Sequence, residues 1–135
     1  MSSAIKPEFA ERLRTAEYIW FTTVREDGMP QPTPVWFIRQ DDTFLIYSMP
    51  NAQKVKNIRH NPKVALSYSG SNDAGDYLVI MGEARIDETV PPVNQLPAYV
   101  EEYAQGIQDI GMTPESMGQA FSVAIRVTPT QVRGE

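Results

Sequence analysis

The chain has 135 residues, of which 41% are hydrophobic, and its 12 basic and 17 acidic side chains give a formal net charge of −5. It contains no cysteine and one histidine, which excludes disulfides, thiolate nucleophiles and iron–sulfur sites and argues against a histidine-rich metal site or a Ser-His-Asp triad. The length predicts a single globular domain over residues 1–135. Because no hydrophobic signal core and no apolar run of about 20 residues occur, we expect a cytoplasmic protein.

The first half of the chain predicts a short helix followed by three strands. Pro7 suits the first position of a helix, and the apolar spacing after it predicts an amphipathic helix over residues 7–16. Asp27-Gly28 predicts a tight turn in which the glycine adopts positive φ. Aromatic and β-branched residues predict strands over residues 18–24, 31–39 and 43–48. The third is apolar enough to be buried on both faces, and the short connections predict an antiparallel meander.

Three prolines alternate along the second predicted strand: Pro30, Pro32 and Pro34. Proline has no backbone N–H, so this half of the strand cannot be fully paired on both sides and its carbonyl groups remain free. Two interpretations are equally open, an edge protected against aggregation and an edge that faces a ligand.

The second half of the chain alternates helices with strands. A helix capped by Asn51 would bury Val55 and Ile58. Further strands are predicted over residues 63–69, 77–86 and 121–127, a polar loop over 70–76, and helices over 93–110 and from Thr113 onward. Short strands with inserted helices favour a closed or partly closed antiparallel barrel of five or six strands over a doubly wound parallel sheet.

Positive charge is concentrated in one interval of the chain. No acidic residue occurs between Asp42 and Asp73, whereas the same interval holds Lys54, Lys56, Arg59 and Lys63. A helix N-terminus offers unpaired amides and a partial positive charge, and a lysine in the first turn adds a full one. The interval therefore predicts a phosphate clamp and, in an acidic chain, a small anionic ligand rather than nucleic acid. The alternative is a solvated basic helix face.

Five segments carry a resemblance to a known family. They are Thr22-Thr-Val-Arg-Glu-Asp-Gly-x-Pro-Gln-x-Thr-Pro-Val-Trp-Phe37, Phe44-Leu-Ile-Tyr-Ser48, Lys54-x-Lys-Asn-Ile-Arg-x-Asn-Pro-Lys-Val64, Leu96-Pro-Ala-Tyr-Val100 and Ile125-Arg-Val-x-Pro-Thr-x-Val-Arg-Gly134. In this order and spacing they resemble the pyridoxamine 5′-phosphate oxidase-like superfamily of flavin and deazaflavin oxidoreductases. Within it the chain is most similar to small coenzyme F420-dependent proteins, and the likeness spans nearly all of residues 8–134.

The resemblance implies a mainly β fold with inserted helices (α+β), a split β-barrel of six antiparallel strands. It implies a homodimer with two cofactor sites in the grooves between subunits. Nine residues would bind the cofactor: Thr33, Pro34, Val35 and Trp36 at the ring system, Tyr47 and Ser48 at the ring or the ribityl chain, and Gln53, Lys54 and Lys56 at the phosphate. The free carbonyls of the proline-rich edge would suit the N–H donors of a pyrimidinedione ring.

The implied cofactor is F420 or FMN, and the implied reaction is hydride transfer between it and a small organic acceptor, with no side-chain nucleophile or base required. Arg59 or Lys63 would attract the acidic tail that distinguishes F420 from FMN. One alternative is a non-catalytic protein that binds flavin or a tetrapyrrole such as haem or biliverdin, and another is a purely structural barrel.

Departures from the pyridoxamine phosphate oxidases proper argue against oxidation of vitamin B6. Gln53 stands where those enzymes have an arginine before the clamp lysine, and the C-terminal segment offers only Arg126 and Arg133 for a substrate phosphate. The expected partners are a small-molecule acceptor and a second copy of the chain, with no nucleic acid, membrane or metal.

Overall fold

The computed structural model describes residues 7–70 and 75–134. Its strands are β1 (Ile19–Val24), β2 (Pro30–Val35), β3 (Ile38–Gln40), β4 (Thr43–Ser48), β5 (Lys63–Ser69), β6 (Tyr77–Ile86) and β7 (Val123–Gly134). Its helices are α1 (Pro7–Thr15), α2 (Gln53–His60), α3 (Pro97–Asp109), α4 (Pro114–Ala120) and a 3₁₀ helix at Val93–Gln95. Within these two ranges no helix is long and apolar enough to cross a membrane.

The strands of the described residues form one antiparallel sheet in the order β2-β1-β5-β6-β7-β4-β3. Its two edge strands, β2 and β3, are nevertheless consecutive in the chain and separated only by Trp36 and Phe37. Three residue steps span at most about 11 Å, so the two edges of the sheet must approach each other at this point. The sheet therefore rolls up, and the predicted mainly β, antiparallel split-barrel class is confirmed.

The predicted count of six strands was wrong, because the run over residues 31–39 divides into two strands on opposite edges of the sheet. β2 pairs with β1 and β3 pairs with β4, so the first strands do not form a continuous meander. Tyr103 explains the break. Its hydroxyl accepts a hydrogen bond from the Phe37 N–H (2.9 Å) and donates one to the Phe37 carbonyl (2.8 Å). A side chain thus satisfies backbone groups that a neighbouring strand would otherwise satisfy.

The proline-rich strand β2 lies at an edge of the sheet, as the sequence predicts. The N–H and C=O of one strand residue point to the same side, and a proline cannot donate a hydrogen bond. The exposed residues Pro30, Pro32 and Pro34 therefore turn their carbonyls to the open edge, while the alternate residues Gln31 and Thr33 face β1. This edge offers acceptors and no N–H donors at its proline positions.

Apolar side chains are buried on both faces of β4, which confirms another prediction. Phe44 and Ile46 belong to the core inside the barrel, which also contains the buried face of α2. Leu45 and Tyr47 belong to a second core formed with the 3₁₀ helix, α3 and α4. Because each fully buried apolar side chain stabilises by roughly 1.5–3 kcal/mol, the second core holds the two outer helices firmly against the sheet.

Several local predictions are confirmed. Gly28 has a φ of 90° in the turn between β1 and β2. Val55 and Ile58 are the buried apolar residues of α2. Thr113 begins α4 with a capping box, since its side chain accepts from Ser116 N–H while the Ser116 hydroxyl accepts from Thr113 N–H.

Other boundaries differ from the prediction. Asn51 does not cap α2, because Ala52 holds the N-cap position and makes no side-chain hydrogen bond. The predicted helix over 93–110 is divided where Leu96 adopts an extended conformation before Pro97. Strand β7 continues beyond residue 127 to Gly134, since it pairs along most of β6. Residues 71–74 of the predicted loop lie outside the described residues.

Candidate functional site

A cavity of about 270 Å³ opens where the ends of β2 and β4 meet the start of α2 and the outer helices. Six of the nine predicted cofactor-binding residues line it: Pro34, Val35, Trp36, Tyr47, Ser48 and Lys54. The remaining lining residues were not predicted as site residues: Met49, Ala52, Tyr99, Ile110, Met117 and Phe121. The wall is thus mainly aromatic and aliphatic, with one basic side chain, as ligand pockets commonly are.

Sheet topology explains how distant segments reach this cavity. β2 ends at Val35 and the chain then leaves the sheet, which places Trp36 in the wall. β4 ends at Ser48, and the short link after it leads directly into the first turn of α2. The ends of two strands and the N-terminus of a helix therefore converge on one opening.

Lys54 is the charged residue of the cavity wall. It is half-buried, and burial lowers its pKa below the ordinary value of 10.5. It forms no ion pair with any residue in the described ranges. The same turn of α2 lacks a side-chain cap, and its N-cap residue Ala52 also lines the cavity, so the helix N-terminus lies at this opening. A phosphate group would satisfy both the ammonium group and the amides.

Three predicted site residues lie outside the cavity wall. Lys56 is exposed. Gln53 is exposed too, and its side-chain amide donates to Asn57 Oδ1 (2.9 Å). Thr33 is half-buried, and its hydroxyl oxygen is buried without a hydrogen-bond partner among the described residues. Thr33 directly precedes the lining residues Pro34 and Val35, but its hydroxyl oxygen is fully buried and is therefore not open to a ligand in the cavity.

Asn57 connects α2 to the first hairpin. Its side-chain amide nitrogen is 2.9 Å from Thr23 Oγ1 and 3.0 Å from Gln31 Oε1, to which it donates. Both Asn57 and Thr23 are buried, so these bonds form in a weakly polar environment where they are strong. They fix the position of α2, and with it Lys54, relative to β2.

Trp36 is held rigidly at the wall by α3. Its ring stacks on Tyr103, with centroids 4.7 Å apart and planes inclined by 8°. Gly106, one turn further along α3, leaves room for the indole, because a β-carbon there would lie 2.9 Å from Trp36 Cζ2. One face of Trp36 is therefore covered by the protein, and its side chain has a single supported position.

Neutral hydroxyls and one lysine are the titratable groups of this wall. Burial raises the pKa of Tyr47 to about 12, although the nearby positive charge of Arg126 opposes the shift, and burial also raises the pKa of Tyr99. Tyr47 donates its hydroxyl proton to the Pro91 carbonyl (2.6 Å). The described part of the wall contains no carboxylate, and the described residues hold no cluster of metal ligands. The cavity can orient and desolvate a ring but supplies no evident base.

Tyr99 is the most informative residue that the sequence prediction missed. It sits in the segment Leu96-Pro-Ala-Tyr-Val100, which carried part of the family resemblance but no assigned role. Helical periodicity places it on the buried face of α3. Periodicity alone could not indicate that this buried face also borders a cavity.

A shallow concavity adjoins the cavity and shares part of its wall. Tyr18 and Trp20 line the concavity, together with the shared residues Pro34, Val35 and Trp36. Of the five exposed large hydrophobic side chains in the described residues, four border one of these two spaces: Tyr18, Trp20, Met49 and Ile110. We call these four side chains the apolar rim.

A larger concavity of about 520 Å³ lies between α1 and α3. It contains none of the nine predicted residues, and its lining includes the paired side chains of Glu11 and Arg14. By size alone, this concavity would be the better candidate for a ligand site. The unpaired lysine and the aromatic wall favour the smaller one, because they provide chemistry for a charged ring compound.

The family model of pyridoxamine 5′-phosphate oxidase matches residues 5–135 of the sequence. No curated protein matches it significantly. The match covers nearly the whole chain, including every element that contributes to the cavity.

Solved structures extend the comparison. The chain is similar to an F420 reductase at 26% identity and a TM-score of 0.76, over 97% of this chain and 100% of that one. It is similar to HutZ, the haem storage protein from Vibrio cholerae, at 17% identity and a TM-score of 0.68, over 96% and 93% of the two chains. General Stress Protein 26 from Bacillus anthracis matches at 20% identity and a TM-score of 0.69, over 91% and 87%. The last two likenesses show the fold alone.

Proposed function

Because this chain belongs to the pyridoxamine 5′-phosphate oxidase family, we propose that it is an oxidoreductase that binds F420 or FMN and transfers hydride between that cofactor and a small organic acceptor. One observation carries the proposal, a cavity with an aromatic and aliphatic wall that also contains the half-buried, unpaired Lys54. A phosphorylated ring compound matches both features.

The described residues fit such a cofactor. Lys54 and the uncapped first turn of α2 would hold its phosphate. Trp36, supported from behind by Tyr103, would border the ring system.

When bound, a flavin or deazaflavin supplies the hydride chemistry itself. The chain's own residues bind the cofactor, orient it and exclude water from it. Lys54 neutralises negative charge, the Pro34–Trp36 segment limits the orientations of a planar ring, and Ile110, Met117 and Phe121 keep the wall dry. Hydride transfer of this kind needs no cysteine nucleophile or histidine base from the protein.

Oxidation of a vitamin B6 phosphate has weak support in this chain. Arg126 is already bonded to three side chains, through Nε to Asp87 Oδ2 (2.8 Å), and through its terminal nitrogens to Thr43 Oγ1 (2.8 Å) and Gln40 Oε1 (3.3 Å). Arg133 pairs with Val79 in the sheet and does not line the cavity. Neither arginine is placed to bind a second phosphate beside the first.

F420 is favoured over FMN by the likeness to an F420 reductase and by Arg59. Arg59 is exposed and lines a separate cavity of about 300 Å³, which shares Tyr47 with the main one. It forms no ion pair with a described residue, so it is free to attract the acidic tail of F420. Arg59→Ala should weaken F420 binding at low salt and leave FMN binding unchanged.

Haem storage is a weaker candidate. The likeness to HutZ is at 17% identity and concerns the fold. The single histidine, His60, is exposed at the last residue of α2 and outside the cavity wall. A histidine ligand for haem iron is therefore lacking where the ring would bind.

We also propose that a second copy of the chain completes the site. The cavity is slightly smaller than the roughly 300–1,000 Å³ of typical ligand pockets, and it is open to the surface that carries the apolar rim. Exposed apolar side chains gathered at one place commonly mark an interaction surface. A homodimer would bury the rim and add walls to the cofactor site.

The proposal is tested by titrating purified protein, freed of any bound pigment, with F420 and with FMN while absorbance and fluorescence are followed. We expect saturable binding of at least one cofactor, and oxidation of its reduced form when menadione is added. Binding of neither cofactor contradicts the proposal. Stoichiometric binding without turnover across a panel of acceptors would instead indicate a non-catalytic binding protein.

A further inference from the structure

Three tyrosine rings pack together beside the cavity. Tyr99 lies edge-on to Tyr47, with ring centroids 5.1 Å apart, and tilted against Tyr103 at 5.0 Å. Tyr47 donates to the Pro91 carbonyl, and Tyr103 binds both backbone groups of Phe37. No described residue forms a hydrogen bond with the Tyr99 hydroxyl. The hydroxyls of Tyr47 and Tyr103 are thus hydrogen-bonded to backbone groups of the chain, whereas that of Tyr99 is not.

Tyr99 borders the cavity, and its hydroxyl is not sealed in the core. Tyr99 is 1% exposed and lines the cavity. Its oxygen is not among the fully buried unpartnered side-chain atoms, so the small exposed part of the residue includes the hydroxyl. Buried hydroxyls normally have a partner, because leaving one without a hydrogen bond costs stability. An unpartnered hydroxyl at a cavity wall is explained most simply by a ligand that accepts from it.

We propose that the Tyr99 hydroxyl donates a hydrogen bond to a carbonyl oxygen of a conjugated ring bound in the cavity. The inference rests on the proposed function, since a flavin-type ring and a quinone-type acceptor both carry such a carbonyl. Otherwise α4 and the residues that directly follow the two outer helices contribute only apolar side chains to this wall: Met117, Ile110 and Phe121. Tyr99 is therefore the polar group by which α3 selects a conjugated carbonyl compound over a hydrocarbon of the same shape.

The test compares Tyr99→Phe with Tyr103→Phe, a matched control that removes a hydroxyl bonded within the fold. We expect Tyr99→Phe to unfold at the same denaturant concentration as wild type or a higher one, because it removes an unpartnered polar group. Tyr103→Phe should unfold at a lower concentration, since the Phe37 backbone groups lose their partner. This readout does not depend on any cofactor.

Binding is measured for three probes: menadione with cofactor-free protein, F420 and FMN, each followed by quenching of tryptophan fluorescence. We expect Tyr99→Phe to weaken at least one of them by about 3- to 10-fold, the effect of one neutral hydrogen bond. A loss confined to menadione assigns the bond to the acceptor carbonyl, and a loss with F420 or FMN assigns it to the cofactor ring.

The outcomes separate this inference from the function it rests on. Unchanged affinity for every probe overturns the role of Tyr99, as does a loss of stability equal to that of Tyr103→Phe. If the protein binds neither cofactor but binds menadione in a Tyr99-dependent way, the proposed function fails and the role of Tyr99 stands. Failure of wild type to bind any of the three overturns both.

Discussion

Lys54 differs from the other basic residues of its interval in its surroundings. It is half-buried at the cavity, whereas Lys56, Arg59 and Lys63 are exposed. Burial disfavours the charged form of a lysine that has no anionic partner, which is the cause of its lowered pKa. An anion bound beside Lys54 would remove this penalty, so the protein gains most from a ligand that carries charge at this position.

Lys54→Ala should weaken binding of the phosphorylated cofactor by about 1.5–3 kcal/mol, the usual contribution of a hydrogen bond to a charged group. Lys56→Ala is the matched control, because Lys56 carries the same charge on the same helix but lies outside the wall. The control should change the dissociation constant less than about fivefold. Equal losses for the two variants in a fluorescence titration would show that only the general charge of α2 matters.

Asp87 anchors the last strand to the rest of the barrel. It is 4% exposed and accepts hydrogen bonds from the Thr89 hydroxyl (2.6 Å) and from Arg126 Nε (2.8 Å). These partners, the Thr89 hydroxyl first and Arg126 next, hold the pKa of Asp87 well below its ordinary value of 3.8. The folded protein therefore favours the ionised carboxylate.

Asp87→Asn should lower the free energy of unfolding at pH 7 by about 3–5 kcal/mol, because it leaves the guanidinium of Arg126 without its counter-charge. In wild type the unfolded chain takes up the Asp87 proton first as the pH falls below about 4, so acid reduces stability there. Denaturant titrations between pH 2.5 and 7 should show a shallower acid dependence for the variant. If the free energy of unfolding falls equally steeply with decreasing pH in both proteins, Asp87 does not contribute to the acid dependence of stability.

At the scale of the secondary-structure elements, helix α3 determines the shape of the cavity wall. Tyr103 interrupts its regular backbone, with φ −113° and ψ 17°, and uses its side chain both to stack on Trp36 and to bind Phe37. The helix and the break between β2 and β3 therefore depend on each other. At Gly106 this contact leaves no room for a β-carbon.

Gly106→Ala tests that contact. Alanine favours a helix by about 1 kcal/mol over glycine, but its β-carbon would lie 2.9 Å from Trp36 Cζ2, so the indole must move. We expect no net gain in the free energy of unfolding, altered tryptophan fluorescence and weaker cofactor binding. Gln108→Ala, at an exposed position of the same helix, should leave all three unchanged. A variant that is more stable than wild type and binds cofactor with wild-type affinity would show that the Trp36 indole can move aside without cost.

The elements themselves were largely predictable from sequence. β4, β5 and β6 have the predicted limits, because alternating or continuous apolar residues end there at turn-forming ones. The division of the predicted second strand was not predictable, because its cause is Tyr103, which lies 66 residues away in the chain. The missing side-chain cap of α2 was also unpredictable, since Asn51 is a favourable capping residue by type alone.

The candidate site was predictable in part. The family resemblance supplied six residues of the cavity wall, and the basic interval indicated Lys54 independently. The residues contributed by α3 and α4, such as Tyr99 and Met117, look like ordinary core positions in the sequence. Whether such a residue also meets a cavity depends on tertiary packing, which periodicity does not encode.

At the scale of the whole molecule, the apolar rim predicts a homodimer in sedimentation analysis at micromolar concentration. Trp20→Lys places a charge in the rim and should shift the protein toward monomer and weaken cofactor binding together. Met29→Lys is the control, because among the described residues Met29 is the exposed large hydrophobic side chain that lies outside the rim, in the turn between β1 and β2. A monomeric wild type that binds cofactor normally would contradict a shared site.

The break between β2 and β3 at Trp36 and Phe37 also has a consequence for how the protein folds. The hairpins β1–β2, β3–β4 and β5–β6 connect neighbouring parts of the chain, whereas β1–β5 and β4–β7 join distant ones. Local hairpins close quickly, and contacts between distant segments form more slowly. Trp36 and Tyr103 are distant in the chain, so we expect their rings to stack only after the hairpins and α3 have formed. The binding cavity is therefore expected to be among the last parts of the molecule to form, so an incompletely folded chain would have no place for its ligand.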